Sequence, residues 1–227
     1  MVVAALILIV PKNSPKIIEK PNPENQQTQT IPETQISEAP PSVPEIPKEA
    51  LIKMSFVSQA PFADWNEPWQ NACEEASINM VWYYLNDKNM TKENMRDDIL
   101  TMVDFQLKNW GGHHDIDAEK TLDLAGKTYG LKGEVITEYS VESIKKLIAS
   151  GIPVILPTDG ILLNNPNFRG DGPPYHMLVI KGYDGKNFIT NDPGTRLGEG
   201  YKYPYQTIID SVKNPDGGAK ELLILTK

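Results

Sequence analysis

The chain has 227 residues, a formal net charge of −8 at pH 7 and a sequence pI near 5.0. That acidity, with no basic stripe interleaved with aromatics, argues against nucleic acid as a partner, because phosphate-backbone binding is driven by Lys and Arg. The single cysteine, Cys73, excludes an intrachain disulfide framework and any multi-cysteine zinc site.

Residues 1–10 form a continuous apolar run closed by Pro11. The run is shorter than the roughly 20 residues a bilayer span needs, and it lacks the basic start and small-residue cleavage site of a signal peptide. The expectation is the tail of a membrane anchor or export signal. Residues 11–50 are rich in Pro, Gln, Thr, Glu and Asn, a composition that buries too little apolar surface to fold and reads as an extended linker. A stalk of this kind predicts an extracytoplasmic domain, tethered to a membrane or secreted. Residues 51–227 are ample for one core.

The folded part opens with an expected strand over Glu49–Gln59, where Ile52, Met54 and Phe56 alternate. A loop bearing Trp65 and Trp69 follows; both read as packing residues of that loop. From Cys73, Ala76, Ser77, Met80, Val81, Tyr84 and Leu85 recur at three-four spacing and predict a helix with its apolar stripe buried, stopping at Asn86-Asp87. Thr91 is the predicted N-cap of a second helix with Met95, Ile99 and Met102 inward. A third runs from Asp117 to Tyr129 and a fourth from Val141 to Ser150, capped by Ser140, with Gly130 and Gly151 as stops. Strands then dominate: Ile152–Leu156, whose Pro153 suggests an edge, then His176–Tyr183, the strongest strand pattern in the chain. Asp184-Gly185-Lys186 turns it into Asn187–Thr190, an antiparallel partner. A Gly-rich loop, a short helix over Tyr205–Val212 and a closing strand at Leu222–Leu225 complete the domain. Helices first and an antiparallel sheet after is an α+β order.

The chemistry concentrates at three positions in chain order: a cysteine, a histidine and a carboxylate. Cys73 opens a helix, where free N–H groups and the macrodipole favour a thiolate. The adjacent Glu74 and Glu75 oppose that charge unless their side chains turn away from the sulfur. His176 begins the strongest strand and is the expected base. Asp192 ends the neighbouring strand of the same hairpin and is the expected group to orient the imidazole. The Cys73 N–H is one donor for an oxyanion. Gln59 and Gln70 compete for the other, with Gln59 favoured because it ends the opening strand. Trp110–Asp115 contains adjacent histidines, which share no face of a regular element; a cleft-lining or solvated loop is expected there rather than a metal site. The loop over 165–170, just before His176, is a candidate cleft wall or lid.

The blocks Phe56–Gln59, Asn71–Ser77, Tyr175–Asp184 and Phe188–Arg196 together resemble the C-thirty-nine-like peptidase family, papain-like thiol peptidases related to the bacteriocin-processing double-glycine peptidases. The resemblance covers roughly Ile52–Thr226. It implies a papain-like α+β fold, a triad of Cys73, His176 and Asp192, Gln59 at the oxyanion hole, a peptide or protein substrate and no cofactor. The chain departs from papain-like enzymes in placing Glu67 where they place the glutamine nearer the cysteine. An acyl transferase on the same triad, or a non-catalytic binding domain on a stalk, are the alternatives.

Overall fold

The computed structural model describes residues 45–227. The apolar run over 1–10 and the linker up to residue 44 lie outside the described residues. Among those that are described, ordered contacts begin early: the Tyr183 hydroxyl donates to the Pro47 carbonyl at 3.0 Å.

A short strand β1 (Ala50–Leu51) leads to helices α1 (Cys73–Leu85), α2 (Lys92–Trp110) and α3 (Ala118–Tyr129). Then come β2 (Lys132–Ile136), α4 (Val141–Ala149), β3 (Val154–Thr158) and the single-turn α5 (Gly160–Leu163). The chain ends with β4 (His176–Tyr183), β5 (Asn187–Asn191), β6 (Glu199–Pro204), α6 (Tyr205–Ser211) and β7 (Leu222–Thr226). The fold is α+β, with the first three helices packed on a sheet built mostly from the C-terminal half. The strands lie antiparallel in the order β2-β7-β3-β4-β5-β6, and β1 pairs with the end of β4.

Strand alternation assigns the core. Ile155, Met177, Val179, Leu223 and Leu225 point to one face and meet α1, α2 and α3 through Met80, Met95, Ile99 and Leu124. Val154, Leu156, Leu178, Ile180 and Leu222 point to the other and meet α4 and α6 through Ile144, Ile148 and Ile208. Each fully buried aliphatic side chain contributes about 1.5–3 kcal/mol. With both faces covered, β3, β4 and β7 read as near-continuous apolar runs rather than alternating ones.

The predicted caps are present. The Thr91 and Ser140 side chains accept from Asn94 and Ser143 N–H groups; Asp117, expected as the first residue of the third helix, instead caps it by accepting from Lys120 N–H, and α2 and α3 stop at left-handed Gly111 and Gly130. Four expectations need correction. The opening strand covers only Ala50–Leu51, because β3 already occupies that edge of β4 as far as Ile180, leaving Gly182 and Tyr183 to pair. The strand expected at Ile152–Leu156 runs instead over Val154–Thr158, and it is interior, flanked by β7 and β4; Pro153 precedes it. The expected Gly-rich loop contains β6, and β2 is an additional strand. Finally α1 is no one-sided amphipathic helix: every residue from Cys73 to Val81 is buried, Glu74 and Glu75 included.

Candidate active site

Cys73 is the first residue of α1. Ala72 caps that helix without a side-chain hydrogen bond, and the first intrahelical bond runs from Ala76 N–H to the Ala72 carbonyl. The N–H groups of the first turn, that of Cys73 among them, therefore have no intrahelical partner. The sulfur is buried but lines a cavity of about 600 Å³, which also receives His176, Gln59 and Gln70.

His176 and Asp192 come together through the hairpin register. Val179 of β4 stands opposite Asn191 of β5. Continuing the ladder puts His176 diagonal to Asp192, within reach of an imidazole. The His176 Nε2 lies 2.8 Å from Asp192 Oδ1, with both residues buried. Asp192 is fully enclosed and held by further donors: Gly194 N–H on Oδ1 at 3.0 Å, and the Tyr203 hydroxyl and Asn165 Nδ2 on Oδ2. Burial alone pushes its carboxyl up, but the charge and hydrogen bond of His176, with the Tyr203 and Gly194 donors, hold it below the usual carboxylate range. Because Nε2 is engaged by Asp192, Nδ1 is the imidazole nitrogen left for chemistry. Phe168 sets the ring from the side, edge-on at 5.2 Å between centroids.

The surroundings of the sulfur differ from the expectation of a helix start that favours thiolate. Glu74 turns toward the sulfur: Cys73 Sγ donates to Glu74 Oε2 at 3.1 Å, while Glu74 Oε1 accepts from Ile116 N–H at 2.9 Å. Glu75 is as deeply buried, accepting from Gln106 Nε2 and lying 3.2 Å from His113 Nε2. Burial pushes the Cys73 thiol well up, and Glu74, Asp115 and Glu75 push it further. Burial and the neighbouring Glu75 likewise raise the Glu74 carboxyl. Desolvation and nearby carboxylates outweigh the helix terminus here, whose effect is only about 0.3–1 kcal/mol at ordinary exposure.

Both glutamines reach the cavity. Gln59 is buried, its N–H bonded to the Pro193 carbonyl. Its Nε2 donates to the Trp69 and Gln70 carbonyls at 2.9 and 3.1 Å, and its Oε1 is buried without a partner. Gln70 is exposed and donates to Glu67. Trp65 lines the cavity, whereas Trp69 packs on the helical core. In the Trp110–Asp115 loop, His113 turns inward to Glu75, Trp110 packs edge-on against Phe105 and only Asp115 lines the cavity. Among the described residues, no three His, Cys, Asp or Glu side chains gather where a metal ion could be held. The 165–170 loop supplies a cavity wall through Asn167, Phe168 and Arg169.

A model of the Peptidase_C39 like family matches residues 51–214. The chain belongs to that family. Among solved structures, a putative C39-like peptidase from Bacillus anthracis aligns over 80% of this chain and 98% of its own, with 17% identity and a TM-score of 0.54. The peptidase domain of Streptococcus ComA, a bi-functional ABC transporter involved in a quorum-sensing pathway, aligns over 69% and 92% with 13% identity and a TM-score of 0.43. No curated protein sequence matches the chain. The first of these structures bears out the α+β fold expected of a C39-like chain.

Several contacts around the site were not legible in the sequence of this C39-like protein. Tyr203 and Asn165 hold Asp192 across 11 and 27 residues, and neither sits in a motif. Gly194 leaves space: a Cβ there would stand 2.8 Å from His176 Cε1 and 3.0 Å from Phe168 Cε1. The Pro-Gly pair after Asp192 was the available signal, but it reads as a turn as readily as a close approach.

Proposed function

We propose that this chain is a cysteine peptidase in which Cys73 is the nucleophile, His176 the general base and acid, and Asp192 the residue that orients the imidazole. The observation that carries this reading is the buried His176–Asp192 pair at 2.8 Å, whose His176 lines the same cavity as the only thiol in a chain of a peptidase family. Family membership alone supplies the peptide substrate class.

The electronegative setting of the sulfur favours general-base catalysis over a resting thiolate–imidazolium pair. The sulfur leaves its hydrogen bond to Glu74 as it attacks the amide carbonyl carbon. The S–C bond forms while the thiol proton passes to His176 Nδ1, and negative charge moves onto the carbonyl oxygen. The Cys73 N–H, which has no intrahelical partner, donates to that oxyanion. Gln59 serves as the second donor only if its amide gives up a bond to the Trp69 or Gln70 carbonyl. Collapse breaks the C–N bond, and the departing amine takes the proton from His176. Water then adds to the thioester carbon, giving a proton to His176; the C–S bond breaks and the proton returns to sulfur. Asp192, ionised throughout, keeps Nε2–H as the donor and Nδ1 free.

The test is a peptide library incubated with wild type and with Cys73→Ala. Cleavage by wild type and none by the variant is the expected result; equal profiles would refute the nucleophile. We also propose that the segment preceding residue 45 tethers this domain outside the cytoplasm, on the strength of its composition alone.

A further inference from the structure

The cavity is charged asymmetrically. Among the described residues lining it, the permanent cations are Arg169 and Arg196, the sole carboxylate is Asp115, and no lysine takes part. Arg169 follows Phe168 in the loop before β4, and Arg196 lies two residues past Gly194 in the loop after β5. These loops touch: the space a Cβ at Gly194 would fill is bounded by Phe168 and His176 together. Both arginines thus belong to the wall on the His176 side, while Asp115 comes from the connection between α2 and α3. Both are exposed, and neither guanidinium enters any of the ion pairs among the described residues. In a chain of net charge −8 the long-range field repels anions, so two unpaired arginines in the cleft create a local exception. Arginine forks match carboxylates bidentately, and a low-dielectric cleft focuses their field.

We propose that Arg169 and Arg196 form a subsite for a carboxylate of the bound peptide, making acidic peptides the preferred substrates. The inference rests on the reading that this cavity binds peptides. Two sources share the chemistry, an acidic side chain or a free C-terminal carboxylate.

Three fluorescein-labelled peptides distinguish them. One is C-terminally amidated with a central Glu, its twin carries Gln in place of Glu, and the third is the Gln peptide with a free C-terminus. Binding is measured by anisotropy with Cys73→Ala, and cleavage with wild type. Either acidic peptide should bind at least about tenfold tighter than the amidated Gln peptide, the scale of one charge-assisted hydrogen bond. That ratio should fall toward one in Arg169→Gln/Arg196→Gln, and with 0.5 M salt as screening sets in. Equal binding of all three, absence of binding, or an unchanged ratio in the double variant overturns the subsite. Acid-selective binding without cleavage of any library peptide by wild type would refute the peptidase reading and leave the subsite standing. Cleavage without acid preference would do the reverse.

Discussion

Cys73 sits where two opposing effects meet, and their sizes decide the resting state. The helix start favours sulfur anion by a fraction of a kcal/mol, while taking an ion out of water costs several kcal/mol even after relaxation. Glu74, hydrogen-bonded to the sulfur and 1% exposed, adds like charge whenever it ionises. The thiol is therefore the resting form. Replacing Glu74 by Gln removes charge while keeping a carbonyl that can accept from Ile116 N–H. The midpoint of the pH profile for Cys73 alkylation by iodoacetamide should move to lower pH in Glu74→Gln. Because burial is the largest cause of the upward displacement, it should still lie above the ordinary thiol value of about 8.5. An unmoved or raised midpoint would show that Glu74 does not hold the thiol in its neutral form.

At the scale of elements, the site is a product of one hairpin and one helix start. The β4–β5 register delivers His176 and Asp192 to each other, α1 delivers Cys73, and the loop after β5 delivers Gly194 beneath the imidazole. Gly194→Ala places a methyl within 2.8 Å of a ring that Asp192 already pins, so His176 or Phe168 must shift. A misplacement of about 1 Å at the reacting groups costs on the order of 100-fold, and peptide cleavage by Gly194→Ala should fall by that order with the circular-dichroism spectrum unchanged. Full activity in this variant would remove Gly194 from the geometry of the site. This hairpin was legible because Met177–Ile180 is an unbroken apolar run leading to Asp184-Gly185, and the second and fourth helices because Thr91 and Ser140 are strong caps. β2 escaped for a physical reason: Lys132, Gly133 and Glu134 are exposed on an edge strand that exists through pairing with β7 and carries no apolar pattern of its own. β6 was hidden by Gly198 and Gly200, although its Tyr203 pairs with Phe188 and reaches Asp192. The inward turn of Glu74 and Glu75 was likewise invisible, since nothing in the residues around a helix start says whether such side chains face the sulfur or turn away from it. Their partners, Ile116 and His113, lie about forty residues downstream.

For the whole molecule, the sheet is covered by helices on both faces, and the chain carries a formal net charge of −8. The proposed tether is the segment before residue 45, and membrane fractionation tests it. Full-length protein should sediment with membranes, and a form beginning at residue 45 should stay in the supernatant; full-length protein found wholly in the supernatant would argue against the tether. No helix among the described residues is long and apolar enough to cross a membrane. The proposed triad is tested most directly by an attempt to trap the acyl-enzyme that it requires. Wild type, Cys73→Ala and His176→Ala are mixed with a peptide active ester, quenched in acid at short times and mapped by mass spectrometry. An acyl adduct on Cys73 is expected in wild type, none in Cys73→Ala, and formation slowed by about 100-fold or more in His176→Ala. Equal acylation rates with and without His176, or an adduct on any residue other than Cys73, would contradict the triad.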